Sequence, residues 1–282
     1  MDARVLICGQ MRPRLAKWAI PCLTVAPCNC LLIQYADDLV LVDTGLGTLD
    51  IEDPRRLGHS NVVLNARAKP EDAALMQIQA LGFGRDDVTH IICTHLDRDH
   101  AGGLPDFPGA TVHVHKAERD AAVDPPSERE RERYRRCHFA HGPDWATYDE
   151  VSPDPWFGLD CIRPLRGLPP SIALVPLFGH TRGQCGVAVQ TTDEGWVFHC
   201  GDAFYVPGEM DRDEPEPRGI RWFRRVAHLD YAQAMRQLER LSRFRDDHAD
   251  EVRMLCSHDR SVTEGPVQVI RSQGRASPWS MR

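Results

Sequence analysis

Residues 89–103 read Thr89-His90-Ile91-Ile92-Cys93-Thr94-His95-Leu96-Asp97-Arg98-Asp99-His100-Ala101-Gly102-Gly103. Four potential metal ligands, His95, Asp97, Asp99 and His100, fall within six positions of it. The apolar run Ile91-Ile92-Cys93 predicts a short buried strand, and Ala101-Gly102-Gly103 the small-residue start of a turn or helix. The polar residues are therefore expected on a loop at the C-terminal end of a strand. Alternate positions of an extended segment share a side, which groups His95, Asp97 and Asp99 and leaves His100 free to turn toward a second centre. A plainer account makes Asp99 the cap of an ordinary helix. A loop that needs only a cap has no use for two histidines and another carboxylate. Imidazole combined with carboxylate suits zinc, and carboxylate-rich sites also accept manganese or iron.

The same signature recurs downstream. Ala173-Leu174-Val175-Pro176-Leu177 runs into Phe178-Gly179-His180-Thr181-Arg182-Gly183; Trp196-Val197-Phe198-His199-Cys200 ends at Gly201-Asp202-Ala203-Phe204-Tyr205; and Val252-Arg253-Met254-Leu255-Cys256 ends at Ser257-His258-Asp259. Each time a short apolar strand delivers a His or Asp. Strand ends that bring polar groups to one edge, with helices between them, describe a sheet enzyme covered on its outer faces. Upstream, residues 30–43 read as a hairpin of buried strands ending in Asp43-Thr44-Gly45. Helices are expected over 70–81, 116–123 and 229–244, with a further strand at 110–114.

Composition narrows the function classes. The 282 residues are 42% hydrophobic and 27% charged, with a formal net charge of −7. A field of that sign repels polyanions, so nucleic acid is not the expected partner. No apolar run approaches the roughly 18 to 20 residues of a membrane span, and the first residues lack a basic head followed by an apolar core, so the reading is a cytoplasmic protein. The ten cysteines are scattered and several end apolar runs, as reduced buried thiols do; Cys22, Cys28 and Cys30 are read as strand thiols rather than a zinc site. The run from Ser127 to Arg136 alternates charge sign from Glu128 to Arg133, which predicts a solvated helix. His138 and His141, just beyond it, read as wall or surface residues. Phe139, Trp145, Tyr148, Trp156 and Phe157 make residues 124–158 a candidate substrate wall. The polar stretch 50–69 reads as an excursion over the site mouth or an oligomer contact, and it and the aromatic insertion together are the basis for expecting a homodimer. No repeat or low-complexity linker divides the chain, so a single domain over 1–282 with these two insertions is the expectation.

The motif at 95–100 resembles the His-x-His-x-Asp-His signature of the metallo-β-lactamase-fold hydrolases, with Asp97 standing where that pattern has its second histidine. The resemblance covers nearly the whole chain and implies an α/β fold, the four-layer αββα sandwich. It implies two divalent metal ions, one held by His95, Asp97 and His180, the other by Asp99, His100 and His258, with Asp202 between them. Within the family the chain is similar to N-acyl-homoserine lactonases, in which a tyrosine three residues after the bridging aspartate touches the substrate carbonyl; Tyr205 keeps that spacing. The implied activity is opening of a lactone or a related carboxylic ester by a metal-bridging hydroxide, with Asp99 carrying a proton to the leaving group. A glyoxalase II-like thioesterase, a phosphodiesterase and an iron-binding redox protein on the same fold are the alternatives. Ser257 and Cys93 stand beside histidines in sequence, but neighbours on an extended chain point to opposite sides, so neither is read as a covalent nucleophile.

Overall fold

The structure, a computed structural model, describes residues 1–36, 38–192 and 195–262 and the backbone of 269–270. Its first strands are β1 (Asp2–Met11), β2 (Ala26–Tyr35), β3 (Asp38–Val42), β4 (Ala66–Arg67), β5 (Val88–Ile92), β6 (Thr111–His115) and β7 (Asp144–Tyr148). There follow β8 (Ile172–Pro176), β9 (Cys185–Gln190), β10 (Trp196–His199), β11 (Val252–Leu255) and β12 (Val269–Ile270). One sheet has the order β12-β1-β2-β3-β5-β6-β7, with β4 beside β1; the other has the order β11-β10-β9-β8.

The unbroken apolar runs of the sequence follow from burial of both sheet faces. Leu31, Ile33, Val40, Val42 and Ile92 point inward and meet Leu174, Val187, Val197 and Leu255 of the second sheet. Their neighbours Leu32, Leu41 and Ile91 point outward against Leu75 and Ile78 of the helix Ala74–Ala80. On the far side, Ala173, Val175 and Phe198 pack on Leu238, Leu241 and Phe244 of the helix Tyr231–His248. Helix, sheet, sheet, helix is the expected four-layer order.

Strand register places the loops. β3 and β5 run parallel with Val42 opposite Ile92, so residues 43–45 and 93–100 leave the first sheet side by side. β10 and β11 run parallel with His199 opposite Leu255, which does the same for the segments carrying Asp202 and His258.

Within the stretch 50–69, Asp50 and Leu57 are buried, and Arg56 Nε lies 3.0 Å from Asp50 Oδ1. Two expectations from the sequence are corrected here. His138 is no surface residue; it is wholly buried with Nε2 3.0 Å from Asp50 Oδ1. The aromatic residues of 124–158 do not form one wall. Trp156 packs on Trp196, Phe198 and Phe244, between the second sheet and its helix layer. Phe157 joins it against Phe244 and His248. Phe139 and Trp145 pack on the outer face of the first sheet, and the Tyr148 hydroxyl is 2.8 Å from His113 Nδ1. An outer layer needs large apolar side chains as much as a pocket does, and their spacing in sequence does not separate the two uses. Trp156→Ala is thus expected to cost about 3 to 5 kcal/mol of stability, as a large-to-small core change does. Metal content and KM should stay at the parent values, and a changed KM in the variant would restore the wall reading.

Candidate metal centre

The loop after β5 is built around Asp43. Its carboxylate accepts from Thr94 N at 2.8 Å, from Thr94 Oγ1 at 2.8 Å and lies 2.8 Å from His100 Nδ1. Asp43 itself sits at φ +57°, a left-handed conformation that aspartate tolerates better than most residues. The chain then enters a short helix, Arg98–Ala101. Asp97 holds its N-cap position but makes no capping bond, and Asp99 lies inside it. Neither carboxylate is used to cap the helix. Gly102 closes the motif because the backbone there is crowded: a Cβ would fall 2.5 Å from Asp50 Oδ2 and 2.7 Å from the Gly45 carbonyl.

The other strand ends converge on this loop. Glu118, fully buried, accepts from Leu96 N and from Gly183 N, each at 3.0 Å, and so ties the first loop to the turn bearing His180. Asn29 Nδ2 donates to the carbonyls of Cys256 and Asp259 at 3.3 and 3.0 Å, clamping the turn on which His258 sits. His258 Nδ1 is 2.7 Å from the Pro27 carbonyl. His95 Nδ1 lies 3.0 Å from Thr94 Oγ1, which passes the bond on to Asp43. Three of the histidines thereby have one ring nitrogen occupied from behind and Nε2 turned forward, the arrangement that fixes tautomer and ring angle in metal sites. All ten cysteines are unpaired thiols, and Cys28 and Cys30 are buried in β2.

The forward-facing atoms crowd together. His180 Nε2 is 3.1 Å from Asp97 Oδ2, and His95 Nε2 is 3.5 Å from the same oxygen. His100 Nε2 is 3.6 Å from Asp99 Oδ2 and 3.3 Å from Asp202 Oδ1. His258 Nε2 is 3.2 Å from Asp202 Oδ2 and 3.6 Å from Asp99 Oδ2, while His180 Nε2 is 3.5 Å from Asp202 Oδ2. Three groups result: His95, Asp97 and His180; His95, His100 and Asp202; Asp99, His100 and His258; ligand atoms within each lie within 4.8 Å of one another. His95 Nε2, His100 Nε2 and Asp202 Oδ1 are buried with no hydrogen-bond partner. Buried polar atoms are ordinarily paired; here they face a space lined by imidazoles and carboxylates, a donor set that fits divalent cations of the zinc type. Burial works against charge on Asp202, but His258 and His100 outweigh it and hold its carboxyl well below the usual range. Burial would also lower His100; instead Asp202, Asp43 and Asp99 raise it well above an ordinary histidine.

Two side chains that the sequence reading did not single out touch this cluster. The helix Glu128–Arg133 is not the solvated one its alternating charges suggest, since Glu130 is buried and Arg133 places Nε 3.2 Å from Asp97 Oδ1. His228 Nδ1 lies 3.1 Å from His180 Nδ1. A charge run with signs changing at each residue has no period from which an inward-facing arginine stands out. Tyr205, also buried, holds its hydroxyl 3.1 Å from His180 Nδ1.

The sequence pattern of the metallo-β-lactamase superfamily matches residues 23–247. The chain belongs to that superfamily. It is a metallo-hydrolase, and a probable metallo-hydrolase of Mycobacterium tuberculosis is 41% identical to it over 234 residues, 82% of this chain and 74% of the relative. The N-acyl homoserine lactonase AiiA of Bacillus thuringiensis subsp. kurstaki is 24% identical over 192 residues, 67% of this chain and 68% of its own. Among solved structures, an N-acyl homoserine lactone hydrolase with N-hexanoyl-L-homoserine at its catalytic metal centre superposes with a TM-score of 0.70 at 20% identity. It covers 95% of this chain and 97% of its own, a likeness of fold. For this metallo-β-lactamase-fold chain, Asp43→Asn is expected to weaken metal binding about 10- to 100-fold, as loss of a group supporting a ligand histidine does. Competition with a chromophoric chelator measures it; unaltered affinity would mean that Asp43 only braces the loop.

Proposed function

We propose that this metallo-hydrolase holds two divalent metal ions, zinc with manganese or iron as substitutes, and hydrolyses a lactone or related carboxylic ester, with N-acyl-homoserine lactones as the leading substrates. His95, Asp97 and His180 would hold one ion and Asp99, His100 and His258 the other, with Asp202 shared. The observation that carries this is the meeting of all seven side chains in three overlapping groups with unpartnered nitrogens and oxygen facing inward. Such a pair of cations supplies Lewis acidity at a carbonyl and hydroxide at neutral pH.

The chain's own groups then arrange the reaction. Asp97 and Asp99 are the most exposed of the seven, at 8% each, so substrate approaches past their carboxylates. With His180 Nε2 committed forward, its Nδ1–H is shared between the Tyr205 oxygen and His228 Nδ1, each 3.1 Å away, and the phenol keeps its own hydrogen to offer to a developing oxyanion. Burial raises the Tyr205 hydroxyl well above the ordinary range, so it stays protonated. Asp99, at the mouth, is placed to carry a proton to the departing alkoxide. Tyr205 packs with Leu23 and Ile220, which holds its ring in place beside His180.

The test is a substrate panel on metal-loaded protein: acyl-homoserine lactones, simple lactones, aryl esters, thioesters and bis-aryl phosphates. Proton release on ring opening, with acyl lactones turned over ahead of the thioesters and phosphates, is the expected result. Bis-aryl phosphates leading every carbonyl ester would overturn the substrate class. Stoichiometric iron with no hydrolysis would overturn the reaction type.

A further inference from the structure

We infer that Arg133 is the counter-ion that lets an aspartate serve at position 97, turning one carboxylate oxygen toward the cation and neutralising the charge that this residue adds. The inference rests on the reading of the cluster as a metal centre.

The two oxygens of Asp97 face different ways. Oδ2 lies 3.1 Å from His180 Nε2 and 3.5 Å from His95 Nε2, inside the proposed first site. Oδ1 lies 3.2 Å from Arg133 Nε. Arg133 cannot swing away to another partner without loss. Its Nη1 donates to the His180 carbonyl at 2.8 Å and its Nη2 to the Ala227 carbonyl at 2.7 Å, and its side chain is only 14% exposed. Asp97 is the carboxylate paired with it among the described residues.

Charge accounts for the arrangement. The cluster already contains Asp99 and Asp202, and a bare aspartate in place of a neutral imidazole adds a further negative charge in a buried space. Asp97 with Arg133 is neutral as a pair, as histidine is alone. The guanidinium is also 3.4 Å from His180 Nε2 by Nη2, so once its carboxylate is removed it becomes an uncompensated positive charge beside the cation. Arg133 is a positioning residue: it acts through Asp97 and His180.

The pairing has a counterintuitive consequence. Asp97→His restores the family's usual ligand but strands the guanidinium, so it should weaken the first zinc about 10- to 100-fold, the range for disrupted support of a metal ligand. Asp97→His combined with Arg133→Met removes the stranded charge and should recover two zinc equivalents. The measurement is zinc stoichiometry and affinity by chelator competition on metal-free protein, with the thermal midpoint of the metal-free forms as an independent readout. In that second readout each single change lowers the midpoint, and the double variant lies above the Asp97→His form. Recovery of folding only in the double variant also supports the pairing, and Arg133→Lys, which keeps the charge, should hold zinc better than Arg133→Met. Two tightly held zincs in Asp97→His with Arg133 intact would overturn the inference while leaving the metal centre standing. A parent protein that binds no zinc would overturn the metal reading itself.

Discussion

Asp202→Ala is expected to yield a folded protein depleted of metal, with ester turnover reduced about a thousandfold or more. Asp202 is the residue that reaches both halves of the cluster: Oδ1 is 3.3 Å from His100 Nε2, and Oδ2 is 3.2 Å from His258 Nε2 and 3.5 Å from His180 Nε2. No other carboxylate in the cluster approaches histidines of both proposed sites. Its removal takes a donor from each site at once, and metal assistance to ester cleavage is worth several kcal/mol, each ~1.4 of which is a factor of ten in rate. The check is metal analysis by mass spectrometry alongside kcat/KM. A variant that keeps two equivalents and near-parental turnover would remove Asp202 from the bridging position.

Glu118→Ala is expected to be the most damaging change outside the cluster. The carboxylate is fully buried and accepts from Leu96 N and Gly183 N, each at 3.0 Å. Both amides then lose a partner of the charged kind, worth about 1.5 to 3 kcal/mol each, so the loss should be about 3 to 6 kcal/mol. For a chain of this size that corresponds to a fall of about 10 °C in Tm. Because one amide adjoins the Asp97 loop and the other the His180 turn, first-site metal affinity should fall with it. Calorimetry on metal-free and metal-loaded protein separates the two effects. A Tm within a degree or so of the parent would show that water or a neighbouring group takes over both amides.

What was legible in the sequence was whatever local periodicity and residue type encode. Ile91-Ile92-Cys93 announced a buried strand, and His95, Asp97, Asp99 and His100 are implausible on a loop without a ligand to hold. That His180, Asp202 and His258 would come near this loop was legible because each follows an apolar strand, and the parallel pairing of β10 with β11 sets the segments carrying Asp202 and His258 side by side. Long-range partners carry no such mark. Glu118 sits in a short helix with nothing in its spacing to show that it accepts from residues 22 and 65 positions away. Arg133 lies in a run whose alternating signs read as solvation, and its inward turn is decided by tertiary contacts with His180 and Ala227. The aromatic residues 139–157 misled for the opposite reason: large apolar side chains were certain to be buried, but the sequence does not say beneath which layer. His138 was underrated because its partner, Asp50, is 88 residues away.

The most direct test is the metal content of the purified protein. Prepared without a metal-chelating tag and analysed by inductively coupled plasma mass spectrometry, it should carry close to two equivalents of divalent metal, zinc foremost. Removal of that metal should abolish ester turnover, and its return should restore it. A protein that carries no metal, takes none up at micromolar concentrations and still cleaves esters would contradict the account.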